Sequence, residues 1–565
     1  MRPNQFASPM VSRSARNVNA RENDSCFARL ASFGKMGMIG DYKIQLNRYR
    51  ASISRLGGFS RMERARTHQA KHTMDASSLS RSRTSAGRPT AEVPGARDVQ
   101  VEGVSISRSQ ARRILYSLMV PAMIMPLTSS MSRVALPILR DEFLLPADVV
   151  AWVSTAFTLP FMILMPVYGR LSDSVGRRRL LLAGILIFSL GTGVTVFASD
   201  LAWLMLGRAL QGFGVAGMTP LGMALISAIF DADERGEALG TWSTIGPFTA
   251  FVGPFLAGFL VDLWGWRAAF APPLFIGLAA LVVVYQFVPA GLSQIRPDFW
   301  RRFDWIGVGL FAAAVSGLLF YLSSRPITGA PPLQDWRLLL ATGALGLAFV
   351  RWERVRSNPF VPLGLFRIRS FSGASLAAAL RMFVMAGSGF LLPLFLVDIH
   401  HASASMVGIL LMVNPGAMAI MVRLGGTIAD RWGSRWPVLL GLTTQSVVMA
   451  FLGLGWGEAS LGILAGLLAV HGLGVGLMLA ALHQAAMVDV DEAYMGAAAG
   501  MYSMIRFAGA AMGTALAGVL LQQRLDSGVP VLTAYENVFL ALVGVGILGM
   551  AASLLLPDKL TRMTR

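Results

Sequence analysis

Cysteine is nearly missing from this chain: Cys26 stands alone among 565 residues. A lone thiol excludes an intrachain disulfide and a cysteine-built zinc cage. Histidine is scarce too, with six residues and no His-Glu-x-x-His run, so no metal site is expected. Charge is thin, at 14% of residues, where soluble domains carry about a quarter. That excludes a disordered regulator and most soluble enzymes. No Gly-x-x-x-x-Gly-Lys-Ser/Thr loop occurs, which removes ATP as a direct driver, and no cofactor is implied. Nothing combines a nucleophile, a base and oxyanion donors, so the chain is not expected to be an enzyme.

Apolar residues are abundant instead: 54% of the chain is hydrophobic, with 59 Gly, 30 Met and a mean hydropathy of +0.57. From residue 114 to residue 556, stretches of about 20 apolar residues recur, each long enough to cross ~30 Å of hydrocarbon. Fourteen spans are predicted, and an even number leaves both termini on one side. Of the 30 basic residues after residue 108, twenty fall in even-numbered loops or terminal segments and five in odd-numbered loops (Arg140, Arg267, Arg325, Arg337 and Arg524). That bias places both termini in the cytoplasm.

The net charge of +18 would suit a nucleic-acid partner, but it lies in a tail and in short loops, with no nucleic-acid module. Residues 1–108 hold 19 Lys+Arg against 8 Asp+Glu. Rich in Ser and Arg and without apolar periodicity, they are expected to be a disordered basic cytoplasmic tail that an anionic leaflet attracts. Three of the four Lys (Lys35, Lys43 and Lys71) precede Met74. That shift raises the expectation that residues 1–73 are an over-extended start.

The loop after the second span reads GRLSDSVGRRR (169–179), and GGTIADRWGSR (425–435) follows the tenth. Two Gly-x-hydrophobic-small-Asp-x-x-Gly-x-Arg turns in equivalent places mark an internally duplicated transporter. The residues are Gly169, Asp173, Gly176 and Arg177 in the first copy, and Gly426, Asp430, Gly433 and Arg435 in the second. Gly169 and Gly176 would allow a tight turn and close helix approach. Asp173 would sit at a helix N-terminus. In the fifth span, Gly246 and Gly253 lie seven apart on one helix face and, with Pro247, Pro254 and Gly258, offer a smooth bendable surface. Arg208 falls inside the fourth span, where a charge costs at least ~2.5 kcal/mol, so it should face a cavity or a partner; Gln211 is one turn away.

Further stretches are LGRALQGFGVAG (206–217), GPFTAFVGPFLAG (246–258), RRFDWIG (301–307), NPFVPLGLFRIRSF (358–371) and GAAAGMYSMIRFAGAAMG (496–513). Together with the paired loops they resemble the major facilitator superfamily. More narrowly they resemble its fourteen-span drug–proton antiporter branch (EmrB/QacA type), over residues 114–556. The resemblance implies an all-α polytopic fold of two six-helix bundles plus two central extra helices. The bundles would be residues 109–290 and 371–565, with 291–370 holding the extra pair. It implies multidrug or small-molecule efflux across the cell inner membrane, a bending role for the fifth-span Gly-Pro pairs, and an Arg208 that works with a first-span carboxylate.

That carboxylate is not there. The first span reads LTSSMSRVALP (127–137), with Thr128 where the family has Asp and Arg133 in place of the usual Asn. All 23 acidic residues after residue 108 fall in loops, tails or span ends. Arg133, Arg208 and Arg381 within spans suggest a cavity of positive potential, suited to an anionic or neutral substrate. His471 and His483 of the twelfth span could titrate in place of the carboxylate. The leading expectation is a secondary transporter, proton-coupled by resemblance. A facilitator or organic-anion exchanger without proton coupling, and a transport-dead sensor or scaffold, stand as alternatives. The expected partners are a small-molecule substrate, the lipid bilayer, protons and a periplasmic adaptor, with no nucleic acid and a monomeric state.

Overall fold

In a computed structural model, residues 99–101, 104–290, 303–323, 333–556 and 558 are described. The candidate start at Met74, Cys26 and Arg325 lie outside them. The tail boundary expected at 108 falls late. Val99–Val101 (β1) pairs antiparallel with Val104–Ile106 (β2), and Ile106 is buried. Ser107 then starts the first helix: its hydroxyl accepts from the Gln110 backbone, and the Gln110 side chain accepts from the Ser107 N–H. This reciprocal cap satisfies two otherwise orphaned donors.

The rest is helical. The first set is α1 (Arg108–Glu142), α2 (Ala147–Val175), α3 (Arg177–Val196), α4 (Leu201–Val215) with α5 (Met218–Ile229), α6 (Ala232–Ser243) with α7 (Ile245–Trp264), and α8 (Ala271–Phe287). Two further helices follow, α9 (Trp305–Leu322) and α10 (Trp336–Val355). The last set is α11 (Arg369–His400), α12 (Ala404–Trp432), α13 (Arg435–Gly453), α14 (Leu461–Met487), α15 (Met495–Asp526) and α16 (Val531–Ser553). Among the described residues, thirteen helical segments are long and apolar enough to cross a membrane, α4–α5 and α6–α7 each counting as one. The fourteenth expected span is α10, which is more polar because Arg337, Arg351, Glu353 and Arg354 lie near its ends. Aliphatic and aromatic side chains such as Leu190, Phe248, Phe275 and Leu347 stay exposed on the helix backs, as lipid solvation requires.

The two sets repeat each other. In the first, α1 packs on α7 and α8, α2 on α4, and α3 on α4 and α8. In the second, α11 packs on α15 and α16, α12 on α14, and α13 on α14 and α16. These pairs correspond one for one, while α11 packs in addition on α14, so the duplication seen in the loop motifs extends to the main packing. The halves meet along α2–α15 and α7–α12, with α1 against α11. The face where α1 begins and α16 ends is called here the terminal face, and its opposite the far face. One buried cluster joins both halves at the far face, including Leu139, Trp266, Phe390, Phe395 and Tyr535. The pair α9–α10 is antiparallel, since Phe311 meets Phe349 and Gly317 meets Thr342. It sits across both halves: α9 touches α2 and α15, with Phe320 stacked on Trp152 at 4.8 Å.

Candidate functional site

A cavity lies between the halves in two adjoining lobes of about 70 and 200 Å³, which share Met125, Ser129, Arg133, Met385 and Gly389. No Asp or Glu lines either lobe. Arg133 sits nine residues before the far end of α1, about 13 Å along the axis at 1.5 Å per residue. Asn414 and His471 each sit ten residues into α12 and α14, which start at the far face, so about 15 Å deep. Three polar residues from three helices therefore converge near mid-membrane. Among the described residues Arg133 has no hydrogen-bond or ion-pair partner. Asn414 Nδ2 faces His471 Nδ1 within hydrogen-bond reach, and His471 Nε2 has no partner.

Arg208 is buried at the edge of the smaller lobe, 1% exposed. Its Nε donates to the Val153 carbonyl at 2.9 Å, Nη1 to Gln211 Oε1 at 2.7 Å and Nη2 to Ser132 Oγ at 3.5 Å. Phe157 and Phe270 offer ring faces 4.7 and 5.8 Å from its Cζ. Gln211 in turn donates to the hydroxyls of Thr192 and Thr195. The donors are satisfied by neutral groups, and the charge is left without a counter-ion. Thr128 is fully buried with its hydroxyl unpartnered, and lines neither lobe.

Of the three arginines expected at the cavity, Arg133 and Arg208 line it and Arg381 does not. Arg381 is buried 19 residues from the far end of α11, and lines neither lobe. It belongs to a group nearer the terminal face. There Arg506 Nη1 meets His483 Nε2 at 3.0 Å, and the His483 ring stacks edge-on to Tyr502. His483 likewise lines neither lobe. Helical depth separates these residues, and a count of arginines within spans does not report depth.

Both motif turns are built alike. Gly176 between α2 and α3 has φ +99°, and Gly433 between α12 and α13 has φ +90°. Such backbone favours glycine. Arg177 then donates to the Ala224 carbonyl, and Arg435 opens α13. Two expectations fail. Gly169 lies inside α2 with open space where a Cβ would be, so it makes no turn. Asp173 falls in the last turn of α2 rather than at the start of α3, just as Asp430 falls in the last turn of α12. Asp430 accepts from Gln484 at 2.8 Å. In the second copy, Gly425 gives the close helix approach, against the Leu477 backbone; at Gly426 a Cβ would meet only Ala480, at ordinary distance.

The fifth-span motif faces two ways. A Cβ on Gly253 would collide with Ser130 of α1, inside the first half. One on Gly258 would come 2.5 Å from the Ala404 carbonyl of α12, across the seam, and Gly408 of α12 packs on the Pro254 carbonyl. Gly246 has nothing near it, so it shares no packing role with Gly253, and Pro247 sits in the first turn of α7.

Several polar contacts were not legible in the sequence. Arg140 of α1 makes a bidentate pair with Asp398 of α11, both bonds 2.7 Å, and Tyr535 also donates to Asp398. Asp262 at the end of α7 caps α12, accepting from the Ala404 and Ser405 N–H groups and the Ser405 hydroxyl. Beside the terminal face, Asp304 accepts from Gly307, Trp352 and the Phe360 N–H, while Glu353 accepts from the Val361 N–H. Arg170 donates to the Pro359 carbonyl, tying the first motif helix to the same segment. The described residues of the two motifs, 303–307 and 358–371, are thus one structure. The only signal in the sequence was that span ends collect acids.

Comparison with known proteins agrees with this architecture. The sequence profile of the Major Facilitator Superfamily matches residues 118–514 and 374–564. The chain is 32% identical over 396 residues to multidrug resistance protein Stp of Mycobacterium tuberculosis (strain CDC 1551 / Oshkosh), covering 70% of this chain and 73% of that one. It is 31% identical over 417 residues to a probable actinorhodin transporter of Streptomyces coelicolor, covering 71% of each. In fold it matches a crystal structure of a bacterial homologue of the human lysosomal transporter Spinster, with TM-score 0.58 and 16% identity over 80% of this chain and 97% of that one. With the repeated helix pairing, the cavity on the seam and these matches together, the chain belongs to the major facilitator superfamily: it is a multi-pass membrane transporter of small molecules, not an enzyme.

Proposed function

We propose that this protein exports a small molecule across the cell inner membrane by alternating access, with both termini cytoplasmic and the chain acting as a monomer. The carrying observation is that the cavity on the seam lies beneath a far face where the halves are locked by the Arg140–Asp398 pair and the Asp262 cap. Rocking one half on the other would break those contacts and open the site to the far side. The relatives' names, multidrug resistance protein and actinorhodin transporter, support efflux. A proton gradient is the energy source the family resemblance favours, with His471 as the titrating group on the cavity wall. A periplasmic adaptor would receive the cargo.

A second reading, an organic-anion exchanger without proton coupling, is favoured by one observation. Thr128 is buried away from the cavity, and no lining residue is acidic. Uptake by inverted vesicles, with the pH gradient and the voltage collapsed separately, tests both. Uptake lost with the pH gradient supports the antiporter, uptake indifferent to it supports the exchanger, and no uptake by folded protein overturns transport itself.

A further inference from the structure

The cavity carries charge of one sign. Arg133 reaches it from α1 and lies against Gly389 of α11, where a Cβ would sit 3.4 Å from Nη1 and 3.5 Å from Cζ. The guanidinium therefore bridges the seam and touches both lobes. A second uncompensated cation, Arg208, lies behind the smaller lobe. Across the larger lobe, Asn414 Nδ2 faces His471 Nδ1 within hydrogen-bond reach; an amide N–H can only donate, so this contact leaves the ring proton to Nε2. His471 is 2% exposed and that Nε2 has no partner. An unpaired guanidinium fork and an unpaired ring N–H, both in low dielectric, are strong binders of an oxyanion. The rest of the larger wall is apolar: Met125, Met385, Met418, Leu392, Leu411 and Leu468.

We propose that the cavity is an anion site, and that its ligand is an amphipathic monocarboxylate. The carboxylate accepts from Arg133 and from His471, and an apolar body of one or two rings fills the lobe lined by Met and Leu. The inference deepens the transport reading above and rests on it. It singles out Arg133, which the motif comparison showed only as a departure from the usual Asn.

The test uses the purified full chain in nanodiscs, with naphthoate, its neutral amide and the matching naphthyl ammonium ion as probes in equilibrium dialysis. Naphthoate should bind at least roughly tenfold more tightly than either. Arg133→Gln should erase that preference, and Arg133→Lys, which keeps the charge, should retain part of it. Equal affinities, a preference for the ammonium ion, or a preference that survives Arg133→Gln would overturn the anion site. Flux of the same probes in proteoliposomes separates the two readings. Naphthoate that binds in an Arg133-dependent way without moving leaves the site standing and removes transport. Flux of amide or ammonium with no anion preference does the reverse.

Discussion

The two helix pairs that join the halves are tight at one end and loose at the other. Along α2–α15, Gly518 lies so close to α2 that a Cβ would come 2.8 Å from the Ala147 carbonyl, and the Gln522 side chain accepts from the Ala147 N–H at 2.7 Å. Toward the terminal face, Gly500 of the same helix would meet Pro166 only at an ordinary 3.8 Å. Along α7–α12, Gly258 and Gly408 press backbone on backbone near the far face, while Gly246 at the other end has open space. Far-face closure is thus built from small residues topped by an ion pair. Packed interfaces of this kind switch between discrete arrangements rather than deform smoothly. The contrast names which end is shut and which residues shut it.

The sharpest way to break that contrast is at the ion pair. Arg140→Met leaves Asp398 with about a fifth of its side chain exposed and no cation beside it. The expected loss is about 2 kcal/mol of stability, the low end of what truncating one partner of a buried hydrogen-bonded charge pair costs, because this pair is partly exposed. Thermal unfolding reads it, and the exchange Arg140→Asp with Asp398→Arg should recover most of it; no recovery would mean the pair is not the lock. Next, Gly258→Leu forces the seam apart and should cost about 1–3 kcal/mol by overpacking. A cysteine introduced on the far face should then label faster in intact cells, and unchanged labelling would show that closure does not depend on this contact. Asp262→Ala removes the acceptor for the Ala404 and Ser405 N–H groups while the Ser403 cap of α12 stays, and should cost about 1 kcal/mol, visible as faster amide exchange at Ala404 and Ser405. The smallest effect belongs to the loose end. Gly246→Ala and Gly169→Ala meet open space and should stay within about 0.5 kcal/mol in the same unfolding assay; a large loss at either would mean the terminal face is held as tightly as the far one.

Much of the fold was legible because lipid simplifies the problem. A span must satisfy its own backbone, so apolar length reports helices directly. The duplicated turns were legible because Gly176 and Gly433 each hold a backbone that other residues avoid. The site was less so. Arg208 was expected to face a cavity or a partner, and its partner is Gln211, one turn away; Arg133 lines the cavity, while Arg381 and His483 line neither lobe. Gly253 and Gly258, five residues apart in one motif, turned out to serve different neighbours. Asp398 looked like an ordinary span-end acid until its partner, 258 residues earlier in the chain, came beside it.

The sequence alone determined that this chain crosses a membrane many times, that its halves carry paired loop motifs, and that its first span holds Thr128 and Arg133 but no acidic residue. Each of these is local or periodic, and survives without knowing what packs on what. Only the tertiary structure decided which polar residues share a depth and a cavity, and which end of the seam is shut. Facing and depth depend on how helices distant in sequence are rotated against one another, and a one-residue rotation of 100° moves a side chain from seam to lipid. Arg133 and Arg381 look alike in the sequence; of the two, Arg133 lines the cavity between the halves.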